Sequence, residues 1–475
     1  MEKLIHFETL GCKLNQVESE GIASLFVDEG FKVSMTSQSA KAKAEENVVL
    51  CVVNTCTVTA KAEQKARRII RLLLSKYSEA AVVVTGCYAQ NSRKELLELD
   101  KRICVLGGQY KGKLAFLPSF LNENEGLSGI SLSTRLNEEF QKIYDKSTDG
   151  KILEPFKLVP KDFFHHSRAS LKIQDGCNCV CTYCAIRIAR GKSQSLEAGE
   201  VLNRIKQLEK SGQSEVVITT VNISQYESEY NGKKVKFTQL LKLILETTFT
   251  IRIRISSLYP EIVDAEFAEV IKNERVCPHF HLSVQSGSDK ILLKMKRPYK
   301  IEAVYKACSL LKKAKGNPFL ACDIITGFPG ETNEDFHETL QMLTSCGFTF
   351  VHAFPFSARP NTEAYKMRPM VPNSVSSQRI SELEEYNKYS KEKYIKSFED
   401  KILQAIVETV HKPKIMNNYT IIHAVTQNFL HCQIRLNKNE NIPEASSVVN
   451  VKILRPLNQA EITGESDTLA EIVKS

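Results

Sequence analysis

Short apolar runs alternate with stretches of helical spacing along most of this chain, and that alternation restricts the fold more than any other feature. Residues 5–10, 48–53 and 81–84 read as strands, with helices over 15–28, over 58–77 and from about 90. The pattern resumes at 170–174, 215–219, 252–256, 279–284, 319–326 and 348–354, with helical spacing at 201–212, 237–247, 300–315 and 333–346. Strands interleaved with helices predict an α/β fold with parallel sheets and covering helices. The second series has six units, too few for a closed eight-stranded barrel, and suits an open, partial (β/α)6 barrel. A charged amphipathic helix over 380–398 follows. Four short strands at 405–410, 419–425, 430–436 and 448–453 then predict a small β-barrel. The expected domains are 1–145, 146–390 and 391–475, with a linker inside a loop-like region at 122–160.

Cys177, Cys181 and Cys184 stand in the pattern CxxxCxxC, on the loop after the strand at 170–174. Three thiolates there can hold three irons of a four-iron cluster and leave the fourth iron open to a second molecule. The competing reading is a structural zinc site, which needs a fourth ligand. Cys179 is available, but it is cramped between Cys177 and Cys181 and reads as a non-ligand. The chain has 14 cysteines. Its start lacks the apolar core and cleavage site of a signal peptide, and no apolar run is long enough to span a bilayer. Metal ligation in a reducing cytoplasm is the expectation, not a disulfide framework.

Cys12, Cys56 and Cys87 each fall just past the carboxyl end of an expected strand. In an open α/β sheet that edge is the ligand crevice. Each alone reads equally well as a small buried residue; together they suggest a second three-thiolate site. Cys51 and Cys104 sit inside apolar runs and read as core. The strand ends of the partial barrel carry Asn222, Ser257, Gln285, Ser286, Gly327 and Gly330, as a cofactor site would, although the glycines serve tight turns equally well. Lys61, Lys65, Arg67, Arg68, Arg71 and Lys76 crowd the helix after Cys56. That is either a solvated face or a phosphate-contacting surface, with Arg67, Arg68 and Arg71 as the RNA-contact candidates. The net charge of +9 permits a nucleic-acid partner without requiring one. From Lys396 onward, nine basic and nine acidic residues balance, so charge alone does not make the tail an RNA-binding module.

Several of these stretches resemble a known family in the right order. TLGCKLNQVES, NTCTVTAKAEQKARR and VVVTGCYAQ are similar to the amino-terminal domain of the radical S-adenosylmethionine (SAM) methylthiotransferases. IQDGCNCVCTYC, HLSVQSGSDKILLKMKR and DIITGFPGET resemble that family's catalytic domain, and the tail resembles its RNA-binding TRAM domain. TLGCK followed by NTCTVT is most similar to the branch acting on threonylcarbamoyladenosine in tRNA. The resemblance implies that Cys177, Cys181 and Cys184 hold a 4Fe-4S cluster whose open iron chelates SAM, with Tyr183 among the cofactor-binding residues. It implies that Cys12, Cys56 and Cys87 hold an auxiliary cluster for sulfur delivery. SAM would serve twice, as methyl donor and as radical source, to place a 2-methylthio group on the modified adenosine beside the anticodon. No catalytic residue beyond the cluster ligands is assigned. The implied partners are tRNA, an electron-donor protein and a sulfur source; the protein is expected to be a cytoplasmic monomer away from membranes.

Two stretches depart from the family pattern. The run after the cluster loop is Arg187-Ile188-Ala189-Arg190-Gly191 followed by Ser193-Gln194-Ser195, and Thr220 stands where the family has glycine. Both are expected on substrate- or SAM-facing loops. The alternatives are methylthiolation of isopentenyladenosine in tRNA or of a ribosomal protein, and a non-catalytic iron–sulfur RNA-binding protein. An open iron argues against the last, because binding alone does not require it.

Overall fold

The computed structural model describes residues 3–146, 153–161, 167–408, 414–416, 419–437 and 440–473. The chain begins with a parallel sheet of β1 (Leu4–Thr9), β2 (Lys32–Ser34), β3 (Val48–Thr55), β4 (Ala81–Gly86) and β5 (Ile103–Val105), in the order β2-β1-β3-β4-β5. β3 and β4 are apolar in both phases because both faces are covered. Leu50, Val52 and Val83 face a layer with Ile22 and Phe26 of α1 (Lys13–Asp28); Cys51, Val53 and Val84 face Ile69, Ile70 and Leu73 of α2 (Ala60–Lys76). Thr59 caps α2, its hydroxyl accepting from Ala62 N at 3.1 Å.

The region expected as a loop at 122–160 instead contains a 17-residue helix, Gly129–Asp145. Leu132, Leu136 and Phe140 recur at spacing four and are buried in the first of those layers. Burial of each side chain is worth about 1.5–3 kcal/mol, which outweighs the propensity cost of the glycine that starts the helix.

Six parallel strands then form the partial barrel: Ala169–Lys172, Glu215–Thr219, Arg252–Ile255 continued by Ser257–Leu258, His279–Gln285, Phe319–Thr326 and Phe350–Pro355. Helices Ala198–Lys210, Phe237–Thr247, Ala265–Val270, Ile301–Lys315 and Asn333–Cys346 cover its outer face. The long helix Asn373–Lys396 follows the sixth strand and begins seven residues before the expected 380.

The tail is a closed five-stranded barrel in which Ile402–Val407, Val448–Pro456, Thr468–Ile472, His431–Asn437 and Tyr419–Thr426 pair in turn and back to the first. Thr468–Ile472 and a short edge strand, Lys414–Met416, add to the four expected strands. Residues 409 and 410 of the expected strand 405–410 lie outside the described residues.

The tail is seated against the partial barrel. Phe429, in the turn between two tail strands, stacks on His279 with ring centroids 3.9 Å apart and meets Phe319 edge-on at 5.7 Å. Phe429 has φ +67°, a conformation a bulky residue rarely takes, and these contacts hold it there.

Candidate iron–sulfur and cofactor site

The CxxxCxxC loop is pinned at both ends. Gly176, at φ +71°, packs so tightly on Lys192 that a Cβ would run into its carbonyl oxygen. Cys177 N donates to Gly191 O at 3.0 Å. Thr182 is held from the far side, its N–H donating to Met295 O at 3.1 Å and its hydroxyl to Lys294 O at 2.9 Å. Gln174 joins the loop to the end of the second barrel strand. Its carbonyl oxygen accepts from Val221 N at 3.0 Å and Asn222 N at 2.9 Å, while its amide donates to Gly176 O at 2.7 Å.

Each of the three candidate sulfurs accepts at least one hydrogen bond from nitrogen. Cys179 N donates to Cys177 Sγ at 3.4 Å, Ile186 N to Cys184 Sγ at 3.4 Å, and Arg297 to Cys181 Sγ at 3.4 Å. Such donors favour thiolate and set the potential of a thiolate-bound cluster, so the residues present fit the group. The Cys179 thiol lies between Cys177 and Cys181, close enough for its one proton to go to either. This contact is the largest influence holding those two near 6, and Arg297 also favours the Cys181 thiolate. Burial pushes Cys184 up to about 12. Asn222 Nδ2 approaches Cys177 Sγ at 3.8 Å and Cys179 Sγ at 3.5 Å.

The remaining cofactor candidates are placed less uniformly. Tyr183 packs in a small apolar cluster with Ile291, Met295, Phe328 and Ala364. Gln285 ends the fourth strand at φ +76°, and Ser257 opens the short strand paired to it. Ser286 is fully buried and its hydroxyl accepts from Ser288 N at 3.2 Å inside its own turn. Gly327 and Gly330 both have positive φ, and a Cβ at either would strike Ser376 or Lys294. Their positive φ therefore accounts for both glycines without a ligand.

Cys12, Cys56 and Cys87 stand at the carboxyl ends of β1, β3 and β4, three adjacent strands. Cys12 is at the N-cap of α1 and exposed; Cys56 and Cys87 are buried. Gly11 lies so close to Cys56 that a Cβ there would come within 2.6 Å of the Cys56 Cβ. Burial pushes Cys56 up to about 11, with Cys87 and then Cys12 adding to it, so these three thiols share one neighbourhood. Asn15 ties the rim together by donating to Leu10 O at 2.8 Å and Thr55 O at 3.1 Å.

A buried charged cluster connects the two cysteine sites. Glu18 of α1 pairs with Lys111, with Lys172 at 2.8 Å and with Arg190 at 3.1 Å; Asp175 pairs with Lys172 at 2.8 Å and Arg190 at 2.9 Å. All five are at most 6% exposed. Arg190 NH2 also donates to Asn15 Oδ1 at 2.7 Å. The divergent run 187–195 thus faces the first domain through Arg190, and through Ile188 O, which accepts from Gln109 at 3.1 Å. A second tie joins the end of the sixth strand to the Cys56 loop. Arg359 donates to Thr57 Oγ1 at 3.2 Å and pairs with Glu63, and Ala60 N donates to Ser357 Oγ at 3.2 Å.

Sequence reasoning did not single out Arg297, Arg359 or Glu18. Arg297 closes the stretch HLSVQSGSDKILLKMKR and Glu18 lies within TLGCKLNQVES, so both had a local signal; Arg359 lay in neither. Among the RNA candidates, Arg68 and Arg71 are exposed, but Arg67 is committed within the protein, donating to Tyr88 OH at 2.7 Å and pairing with Glu95 at 3.2 Å. Lys76 is likewise held, by Ala42 O at 2.7 Å.

Residues 171–343 match the radical SAM superfamily and residues 4–108 the uncharacterized protein family UPF0004. The threonylcarbamoyladenosine tRNA methylthiotransferase MtaB of Treponema pallidum is 42% identical over 87% of this chain and 93% of its own length. The chain belongs to the radical SAM tRNA methylthiotransferases. The MtaB of Bacillus subtilis is 31% identical over 96% of both chains. The tRNA-2-methylthio-N(6)-dimethylallyladenosine synthase of Clostridium tetani is 31% identical over 84% of both. This methylthiotransferase is therefore a radical SAM enzyme that uses a 4Fe-4S cluster and SAM. No helix among its described residues is long and apolar enough to cross a membrane.

Proposed function

We propose that this methylthiotransferase converts N6-threonylcarbamoyladenosine beside the tRNA anticodon to its 2-methylthio derivative. The observation that carries this reading is 42% identity, over most of both chains, to an enzyme named for that nucleoside; two sets of three cysteines, each at strand carboxyl ends, support it. Cys177, Cys181 and Cys184 hold the radical-generating cluster, and Cys12, Cys56 and Cys87 hold an auxiliary one that delivers sulfur. With SAM bound, the first cluster supplies one-electron chemistry able to take hydrogen from a C–H bond that acid–base catalysis cannot reach.

The protein's own part is placement. Arg297, fixed by Ser283 O at 2.9 Å and Tyr299 OH at 2.9 Å, holds Cys181 and adds positive charge beside it. The Glu18–Arg190 cluster keeps the distance between the two cysteine sites fixed, as group transfer between them requires. Asn222 and Tyr183 bound the side of the loop where SAM docks, and Arg68 and Arg71 with the tail barrel hold the RNA. A separate protein supplies electrons and a separate source supplies sulfur; the chain works as a monomer in the cytoplasm.

Mass spectrometry of tRNA nucleosides from a strain lacking the gene tests the substrate. Loss of methylthio-threonylcarbamoyladenosine supports the reading. Its persistence, with loss of the dimethylallyl counterpart, would assign the chain to the neighbouring branch.

A further inference from the structure

The end of the sixth barrel strand, with the segment that leaves it, touches both cysteine loops. Phe354 stands opposite Ile325 of the fifth strand, and Phe356 N donates to Thr326 O at 2.8 Å, so the sixth strand ends level with the Gly327 turn. Ser357 Oγ then accepts from Ala60 N, and Arg359 donates to Thr57 Oγ1, both at 3.2 Å and both on the stretch that follows Cys56. Farther on, Ala364 N donates to Thr182 O at 2.8 Å, between Cys181 and Cys184. The chain from Phe354 to Ala364 therefore runs past the Cys56 loop and on to the CxxxCxxC loop.

Strand alternation decides where Phe354 points. Val351 and Ala353 belong to the apolar layer against the helices, together with Phe280 and Leu282 of the fourth strand and Cys322 and Ile324 of the fifth. Phe350, His352 and Phe354 take the other face, inside the barrel. There His352 stacks on His281 with ring centroids 4.9 Å apart, and His281 Nε2 stands 3.0 Å from Asp323 Oδ1. The inner face is filled where the strand begins, because Phe350 packs on the core of the tail. It opens toward the carboxyl end, where His352 is exposed and Phe354 is 41% exposed. A single exposed ring needs no explanation; its position does. Among the described residues the other phenylalanine so exposed is Phe249, on the turn before the third strand, at the opposite end of the barrel.

We propose that Phe354 is the platform on which the target adenine of the tRNA stacks. This rests on the proposed function for the base and not for its N6 substituent, which lies off the ring. A group passed between sites on two loops meets its acceptor in the space that both loops border, and C2 lies on the edge of the purine. Enzymes that act on a base hold it by face and by edge: an aromatic ring takes the π-face, and polar groups take the edge. Phe354 supplies the ring at the head of a segment bonded to both loops. His352, His281 and Asp323, next along the same wall, supply donors and acceptors for the edge.

The test uses the full chain with its clusters reconstituted, held anaerobically without reductant, and anticodon stem-loop RNAs that carry the modified adenosine or lack the base at that position. Affinities are read by fluorescence anisotropy. The wild type is expected to bind the intact loop about tenfold more tightly than the abasic one. Phe354→Ala should collapse that ratio toward one, Phe354→Tyr should retain it, and Phe354→Leu, apolar but without a π-face, should lose most of it. No preference in the wild type, an unchanged ratio in Phe354→Ala, or full retention in Phe354→Leu overturns the platform. So does a Phe354→Ala variant that loses affinity for SAM while its RNA ratio stays at the wild-type value, because the ring would then serve SAM. Turnover separates the platform from the proposed function. If threonylcarbamoyl RNA reacts with the same KM in the wild type and Phe354→Ala, the platform falls and the function stands. If only dimethylallyl RNA reacts, and its affinity depends on Phe354 as above, the function falls and the platform stands.

Discussion

The two cysteine sites are built in opposite ways. Cys177, Cys181 and Cys184 occupy eight consecutive residues, so chain connectivity brings them together and only their fine placement depends on the fold. Cys12, Cys56 and Cys87 are spread over 76 residues and reach one sheet edge only because β1, β3 and β4 are neighbours in one sheet. A local site depends on its pins; a distributed one depends on the whole domain.

The largest test of that contrast is removal of the ligands. Replacing Cys177, Cys181 and Cys184 together by Ala should leave about four of about eight irons after anaerobic reconstitution and abolish turnover. Replacing Cys12, Cys56 and Cys87 should also leave about four, with the radical cluster still able to cleave SAM. Iron analysis and SAM cleavage distinguish the two; an iron content unchanged by the second triple variant would remove the auxiliary site.

Glu18 lies between the sites, and Glu18→Gln strips one of two carboxylates from three buried cations. Breaking such a cluster should cost about 3–5 kcal/mol, seen as a lower urea midpoint. Acid should do the same. Burial raises the Glu18 carboxyl, but Arg190, Lys111 and Lys172 outweigh it and hold it well below the ordinary range. The stabilisation is therefore complete above the unfolded carboxyl range, near pH 4.5, and is lost as pH falls toward the folded value. A midpoint that Glu18→Gln makes no less sensitive to acid would refute this assignment.

Gly176→Ala attacks the local site alone. Its positive φ and its contact with Lys192 should cost about 1–3 kcal/mol and loosen the CxxxCxxC loop, while the distributed site keeps its iron. The smallest effect is expected on the surface. Replacing Arg68 and Arg71 by Ala should leave the unfolding midpoint unchanged, weaken RNA binding several-fold and flatten its salt dependence by about one to two counterions. Arg67→Ala should instead alter stability more than RNA affinity, because Tyr88 and Glu95 already hold that side chain.

The same contrast explains what could be read from the sequence. The local triplet stands out from spacing as a candidate site. The shared sheet edge of the distributed one was legible because β3 and β4 are uninterrupted apolar runs whose ends are marked by a cysteine. The ties between domains were not: Glu18 to Arg190 spans 172 residues and Arg359 to Thr57 spans 302, and no local pattern encodes either pairing. The helix Gly129–Asp145 was missed although Leu132, Leu136 and Phe140 carry its period, because Gly126 and Gly129 read as loop. Arg67 differs from Arg68 and Arg71 because a basic run does not show which member finds partners within the protein.

Phe429 gives the tail a role that its balanced charge did not suggest. Its ring rests on His279, and Arg254 donates to Thr426 O at 3.2 Å just beside it. The last domain thus covers the opening residues of the fourth and fifth barrel strands. A chain cut short after the helix Asn373–Lys396 would lack more than a tail: water would reach Arg254, His279 and Phe319, and the buried pair of Arg254 with Glu215 would lose the low dielectric that strengthens it.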